Sequence, residues 1–116
     1  MSTKSKKVYV TQIPNRKDKA TGAIIPAVDI SAAVEHGEVV IMLPPKANFF
    51  ATADLIKQLR EFLNEYDYEN GDSLLFIGDP AIIVAAAMLL GKMYGHAIIL
   101  KWDRHVMRYV PSHIKI

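Results

Sequence analysis

The sequence predicts an α/β fold: a βαβαβ core with a mixed, mainly parallel sheet, extended by an N-terminal and a C-terminal hairpin. Residues 74–77 form an uninterrupted apolar run, which is typical of a strand covered on both faces of a parallel sheet. Helical patterns precede and follow this run, and further strands are expected at residues 38–43 and 97–102. The order strand, helix, strand, helix, strand predicts right-handed crossovers between neighbouring parallel strands.

The first helix is predicted at residues 52–66. Thr52 is a natural N-cap, and Asp54 is favourable in the first turn, where a carboxylate interacts well with the helix dipole. Apolar side chains recur at the spacing of one helical face, and polar side chains take the other face. The apolar face consists of Leu55, Leu59, Phe62, Leu63 and Tyr66.

The second helix is predicted at residues 80–90 and has an unusual composition. Asp79 is a natural N-cap, and Pro80 suits the first helical position. Gly91 or Gly95 is expected to end the helix. The ten residues after Pro80 contain no polar side chain, although a surface helix normally keeps a polar face.

This helix therefore has two possible surroundings. Either other parts of the chain cover it on both sides, or its outer face contacts another subunit, because large exposed apolar patches usually mark an interface. The second possibility predicts a symmetric homodimer or a higher homo-oligomer. The candidate interface residues are Ile82, Ile83, Ala86, Met88 and Leu90.

The chain ends are predicted to add hairpins to this core. Residues 7–13 predict a strand, and residues 23–30 predict an extended segment that Pro26 confines to an edge. Together these two segments are expected to form a hairpin with a long basic tip. Near the other end, a turn at residues 103–105 returns the chain as a hairpin partner at residues 106–110.

The remaining segments are short. Residues 31–37 predict a helical turn that Gly37 ends, and residues 112–116 can add a strand. Residues 1–6 are polar and expected to be mobile, whereas residues 7–116 have a length that suits one domain.

Composition excludes several classes of protein. The chain has no cysteine, which excludes disulfides, thiolate metal sites and a cysteine nucleophile and fits a cytosolic protein. The longest apolar run, residues 81–90, is shorter than the roughly 20 residues that a membrane span needs. The first residues are too polar for the apolar core of a signal peptide.

No motif in the sequence dictates a chemistry. The dinucleotide-binding and phosphate-binding glycine motifs are absent, and the serines lack the context of a nucleophile elbow. The four histidines show no metal-ligand spacing and are expected at the surface. The residues therefore favour a protein that is not an enzyme, and we expect no cofactor and no metal. The histidines are His36, His96, His105 and His113.

One alternative hypothesis is a nucleotide-type ligand site at the carboxyl ends of the strands, where open α/β sheets bind ligands. Gly78 would let a ligand approach the backbone, and the following helix start offers free N–H groups. Asp79, however, is an anion where a phosphate would lie, so helix capping explains it first. The remaining candidate contacts are Lys46, Asn48 and Thr52.

A second alternative is a nucleic-acid-binding module. Residues 1–19 hold six basic side chains and one acidic side chain, a net charge of +5, whereas the rest of the chain holds eight basic and eleven acidic side chains, a net charge of −3. Such cations can follow a phosphate backbone, and Tyr9 and Trp102 could stack on bases. Otherwise Trp102 points inward with Leu100, and the cations only face solvent. The candidate cations are Lys4, Lys6, Lys7, Arg16, Lys17, Lys19, Lys101, Arg104 and Arg108.

Five short segments resemble small proteins of uncharacterised function that bacteriophages encode. They are Tyr-Val-Thr-Gln at residues 9–12, Phe-Phe-Ala-Thr at 49–52, Gly-Asp-Pro at 78–80, Trp-Asp-Arg at 102–104 and Arg-Tyr-Val-Pro at 108–111. The resemblance implies an accessory protein in the cytoplasm of the phage host and assigns no functional residue. Together with the apolar helix, it favours a protein that binds other proteins, either a second copy of itself or a host protein, and no membrane.

Overall fold

The computed structural model describes residues 5–47 and 52–116 of the chain. Its sheet has the order β4-β1-β5-β6-β7; β7 is antiparallel to β6, and the other neighbours are parallel, which confirms the predicted α/β class. In chain order the elements are β1 (Lys7–Gln12), β2 (Asn15–Lys17), β3 (Ile24–Pro26), a 3-10 helix (Ser31–His36), β4 (Glu38–Leu43), α1 (Thr52–Leu63), β5 (Ser73–Leu75), α2 (Pro80–Met93), β6 (His96–Asp103) and β7 (Arg108–Lys115).

The first strand does not form the predicted hairpin with residues 23–30. β1 lies between β4 and β5 at the centre of the parallel sheet, and β2 and β3 pair with each other as a separate antiparallel hairpin. The physical reason is burial: Val8, Tyr9 and Val10 are all buried, so both faces of β1 are covered. A strand that is apolar on both faces gains more from a central position than from a two-stranded hairpin.

The central position of β1 also changes the predicted crossovers. β4 and β5 were expected to be neighbours, but β1 separates them, so the chain winds in one direction from β1 to β4 and in the other from β4 to β5 and β6. Right-handed connections that run in opposite directions lie on opposite faces of a sheet. Accordingly α1 and α2 share one face, and the segment that holds the 3-10 helix covers the other.

Two apolar clusters hold these layers together. On the helix face, side chains of α1 and α2 pack against Tyr9 and Leu74. On the opposite face, Ala33 of the 3-10 helix packs with Val8 and Val10 of the central strand. The α1 helix ends at Leu63, three residues before its predicted end, whereas α2 continues through Gly91 and ends before Gly95.

The amide of Gln12 joins three segments at the carboxyl end of β1. Its Nε2 group donates to the backbone carbonyls of Pro44, Pro45 and Ala47 at 3.1, 3.1 and 2.8 Å. Its Oε1 atom accepts the backbone N–H of Asp79 at 3.0 Å. Gln12 is 3% exposed, so these bonds form in a dry environment where an unmade bond is costly. One side chain thereby fixes the loop after β4 and the start of α2.

Gly78 is required by the same contact. Its φ angle of +105° lies in the left-handed region that side chains disfavour, and a Cβ atom there would overlap the Oε1 atom of Gln12. The hydroxyl of neighbouring Thr11 accepts the backbone N–H of Ile77 at 2.8 Å and donates to the carbonyl of the same residue. The β1 strand therefore holds the segment between β5 and α2 through side chains as well as through the sheet.

Two buried tyrosines lie next to each other in the helix-side core. Tyr9 and Tyr66 are 2% and 4% exposed, and their ring centroids are 6.2 Å apart in an edge-to-face arrangement. The hydroxyl of Tyr66 accepts the backbone N–H of Ile98 at 3.0 Å, whereas that of Tyr9 has no hydrogen-bond partner among the described residues. Burial raises the pKa of each phenol to about 12, with the carboxylate of Asp72 adding to the effect.

Replacing Gly78 with alanine is expected to lower the free energy of unfolding by about 2 kcal/mol, because the new methyl group meets Gln12 and the backbone angle becomes strained. The matched control is Gly91→Ala, where the methyl group meets only the flexible end of Ile116 and helix propensity gains at most about 1 kcal/mol. Urea unfolding followed by circular dichroism measures both variants. Equal losses would contradict the role given to Gly78.

The two tyrosines are expected to respond unequally to removal of the hydroxyl group. Tyr66→Phe is expected to cost about 1–3 kcal/mol, because the buried N–H of Ile98 loses its acceptor. Tyr9→Phe is expected to change the free energy of unfolding by less than about 0.5 kcal/mol, because no bond is lost. Urea unfolding at neutral pH distinguishes the two, and a larger cost for Tyr9→Phe would contradict the structure.

Alkaline pH is expected to destabilise the folded chain between pH 10 and 12. The raised pKa of both phenols means that the folded state keeps protons that the unfolded chain releases from its ordinary pKa of 10.0 upward. The free energy of unfolding therefore falls as the pH rises through this interval. Urea unfolding over a pH series should show this fall, and Tyr9→Phe should make it shallower. A profile that is identical in the variant would contradict the assignment to Tyr9.

Candidate interaction surfaces

The inner side of α2 belongs to the core of the chain. Ile82, Ala86 and Leu90 are 0%, 0% and 3% exposed, because they form the stripe of the helix that faces the sheet. Ile83 is half-buried. Five residues were suggested by the sequence for a subunit interface. Ile82, Ala86 and Leu90 are buried and therefore unavailable to a partner, and Met88 is the one that is fully at the surface.

The outer side of α2 is apolar as well. Val84 and Met88 are 56% and 69% exposed, and Ala81 and Ala87 lie at the surface beside them. We call these four residues the α2 face. Lys92 near the end of the helix is the only charged side chain in α2, so the missing polar face that the sequence indicated is a real property of the surface.

Apolar grooves flank the α2 face on both sides. A groove of about 620 Å³ lies beside α1, where Ile56 lines it together with Ala85 and Leu89 of α2. A smaller groove of about 140 Å³ lies on the other side of the helix, where Ile114 and Ile116 line it. The apolar surface therefore extends from α1 across α2 to the last strand.

The loops proposed for a ligand do meet at one edge of the sheet. Gly78 and Asp79 adjoin the loop that carries Lys46, and the Gln12 amide bridges the two loops. Asp79 caps α2 by accepting the N–H of Ala81 at 2.8 Å, as predicted. The side chain of Gln12 fills the space beside Gly78 in which a ligand was predicted.

Part of the predicted ligand site cannot be placed relative to Gly78 and Lys46. Asn48 and the side chain of Thr52 lie outside the described residues. Sequence reasoning missed Gln12, although a Thr-Gln pair at the end of an otherwise apolar strand was a usable signal. The nucleotide-ligand hypothesis stays a prediction.

The basic residues that are clustered near the N terminus are separated in space. Lys6 and Lys7 lie at the amino end of β1, where the Lys7 ammonium is 3.9 Å from Glu65, and Lys4 lies outside the described residues. The β2–β3 hairpin, at the carboxyl end of β1, carries the other cations. Tyr9 is buried and therefore cannot stack on a base from this surface. The cations of that hairpin are Arg16, Lys17 and Lys19.

The β6–β7 hairpin presents a partly exposed aromatic pair. Trp102 is on the same side of β6 as Leu100, as the alternation predicted, but it lies past the covered part of the sheet and remains 43% exposed. Its ring meets Tyr109 edge to face, with centroids 5.0 Å apart. Burial raises the pKa of Tyr109, so this phenol stays neutral. The guanidinium of Arg108 bonds to the carboxylate of Glu35 at 2.9 Å.

Three of the four histidines have structural partners. His36 bonds through Nε2 to the carbonyl of Tyr109 at 2.9 Å, which attaches the 3-10 helix to the edge strand β7. His96 stacks on Tyr68 with ring centroids 4.1 Å apart, and the Nδ1 atom of His113 is 3.2 Å from the hydroxyl of the same tyrosine. Across residues 5–47 and 52–116, no three histidine or acidic side chains lie close enough together to hold a metal ion.

Comparisons with known proteins place the chain in one family. No curated protein and no solved structure matches it. Within the part of the chain that the structure describes, no helix has the length and apolar character needed to span a bilayer. The family model described as Phage Pam3 gp32-like protein matches residues 6–116, which is nearly the whole chain. The chain therefore belongs to the Phage Pam3 gp32-like protein family and is a phage protein, as its resemblance to phage-encoded sequences indicated.

Proposed function

We propose that this chain is a non-enzymatic accessory protein of the phage that acts by protein–protein binding in the host cytoplasm, and that it forms a homodimer through the α2 face. One observation carries the proposal: Val84 and Met88 are exposed on a helix whose only charged side chain is Lys92. Contiguous exposed apolar surface of this kind marks interaction sites in proteins.

The grooves beside the helix favour a second copy of the chain as the partner. Met88 is 69% exposed and lines the groove together with Ile56 and Leu89, so each copy offers both an exposed side chain and a recess. A two-fold axis across α2 would insert the Met88 side chain of each copy into the groove of the other, which is the self-complementary arrangement of a symmetric dimer. Methionine suits this role because its unbranched side chain adapts to irregular gaps.

Dimer formation removes apolar surface from water, which contributes about 25 cal/mol for each Å² buried. The alanines of the α2 face add little area themselves but allow two helices to approach closely. Lys92 at the end of the groove can keep its ammonium group in water while its aliphatic part packs. A host protein with an apolar helix would use the same surface and is the alternative partner.

The double variant Val84→Glu/Met88→Glu is expected to be monomeric, because two carboxylates would be buried without partners in the dimer. Size-exclusion chromatography with light scattering should give twice the 13.0 kDa chain mass for the wild type and the single mass for the variant. Both positions are more than half exposed, so the variant is expected to keep its thermal stability.

Val34→Glu is the matched control for this experiment. Val34 is 64% exposed on the 3-10 helix at the opposite face of the sheet, so a valine-to-glutamate change there should leave the dimer intact. A wild-type chain that remains monomeric at high protein concentration would refute the homodimer. Dissociation by Val34→Glu as strong as that by the double variant would refute the assignment to the α2 face.

A further inference from the structure

We propose that two hairpins at the carboxyl end of the sheet form a binding surface for single-stranded nucleic acid. The first hairpin comprises residues 15–26, with strands β2 and β3, and the second comprises residues 101–110, at the junction of β6 and β7. This surface differs from the α2 face and uses only some of the cations that the sequence suggested.

The topology brings the two hairpins together. The first follows the carboxyl end of β1 and the second the carboxyl end of β6, and these parallel strands are separated only by β5. Neighbouring strands lie about 4.8 Å apart, so the two hairpins begin about 10 Å from each other. The ladder between β5 and β6 has its pair at Leu74 and Ile99, so the second hairpin projects beyond β5.

Both hairpins are basic, although they are distant in the sequence. Each carries three cations and one carboxylate, which gives each a net charge of +2. In the first hairpin the cations are Arg16, Lys17 and Lys19, with Asp18 as the carboxylate. In the second they are Lys101, Arg104 and Arg108, with Asp103 as the carboxylate.

Most of these cations are available to phosphates. Within the described part of the chain, the ion pairs shorter than 4.0 Å involve Lys7, His36 and Arg108, and none involves the other five hairpin cations, which all lie at the surface. The carboxylates are used locally: Asp18 accepts the hydroxyl of Thr21 at 2.9 Å, and Asp103 accepts the N–H of His105 at 2.8 Å. The acidic groups therefore stabilise the two turns rather than pair with the lysines.

Trp102 selects single strands over duplexes. Its half-exposed ring borders a cleft of about 560 Å³ that Lys101, Arg104 and His105 also line. A base can stack on this ring only when it is unstacked from its neighbours, which is the usual state in a single strand. A duplex would offer phosphates to the cations but no base to Trp102.

The second hairpin is also held in place before binding. The 3-10 helix supports its base through the Arg108–Glu35 ion pair at 2.9 Å and the bond from His36 to the Tyr109 carbonyl. Tyr109 contacts the Trp102 ring edge to face and limits its rotation. A supported aromatic ring loses less conformational freedom on binding, which favours affinity.

The opposite end of the molecule is mixed in charge, because Lys6, Lys7 and Lys115 lie there beside a group of carboxylates. α1 runs back toward the amino ends of the strands, so the acidic side chains at its end and in the following loop collect there. They include Glu61, Glu65, Asp67 and Glu69. A polyanion at that end would meet these carboxylates, whereas the hairpin end offers five cations that form no ion pair among the described residues, and Lys6 and Lys7 lie too far away to belong to the hairpin surface.

The fluorescence of Trp102 can be measured directly in the test, because it is the only tryptophan in the chain. Labelled oligothymidine and oligouridine of about 20 nucleotides are titrated with protein while anisotropy and tryptophan emission are recorded. We expect binding of both oligonucleotides, quenching of the emission, and affinity that falls steeply from about 50 to 200 mM salt. A duplex of equal length is expected to bind more weakly and to leave the emission unchanged.

Charge reversals locate the surface. Lys17→Glu/Arg104→Glu is expected to weaken binding at least about tenfold and to lower the salt slope by about 1.4, which corresponds to two lost phosphate contacts. The matched control, Lys6→Glu/Lys115→Glu, makes the same change in net charge at exposed positions near the other end of the sheet and should bind as the wild type does. Trp102→Ala is expected to weaken binding about 5- to 150-fold, and Trp102→Phe should restore much of it.

Several results would overturn the proposal. These are the absence of binding to either oligonucleotide at the lowest salt, equal losses in the two charge-reversal variants, and unchanged tryptophan emission on binding. Duplex binding as tight as single-strand binding would also overturn it, as would competition by polyglutamate at the same charge concentration, which would identify an acidic protein as the partner. Because the Trp102→Phe variant keeps an aromatic ring, its recovery of binding shows that the loss in Trp102→Ala comes from the missing ring, and equal loss in both variants would contradict stacking.

Discussion

The buried amide of Gln12 is the interaction on which the arrangement of this fold depends. It donates to three carbonyls of the loop after β4 and accepts the N–H of Asp79 just before α2. It therefore connects the loops that follow β4 and β5, the two strands on either side of β1. The three carbonyls belong to a loop outside the sheet ladder, so a side chain from the end of β1 connects that loop to the sheet. Gly78 has no side chain because Gln12 occupies its place.

Once the start of α2 is held at this point, the two surfaces of the molecule follow. Asp79 and Pro80 set the helix direction, the stripe of Ile82, Ala86 and Leu90 meets the sheet, and Val84 and Met88 are turned outward. Both basic hairpins follow strands at the carboxyl end of the same parallel sheet, whereas the acidic side chains at the end of α1 lie near the amino end of the sheet. An apolar side and a basic end are therefore consequences of one topology.

Elements with strong local signals could be predicted closely. β4 matches its predicted bounds because Gly37 and Pro44 limit it, and α2 begins at Pro80 because Asp79 caps it. The predicted pairing of β1 was wrong. The prediction chose the next extended segment along the chain as its partner, whereas its actual neighbours are residues 38–43 and 73–75, which lie further along the chain. Likewise, periodicity alone could not tell the inner from the outer side of a helix that is apolar all round.

The sequence by itself determined the α/β class, the approximate positions of most elements and the absence of a polar face on α2, because these depend on periodicity, capping residues and composition within short windows. Only the tertiary structure decided the strand order, the burial of Gln12 against Gly78, and the separation of Lys6 and Lys7 from Arg16, Lys17 and Lys19. These features depend on contacts between residues that are distant in the chain, and no local pattern encodes which strand lies beside which.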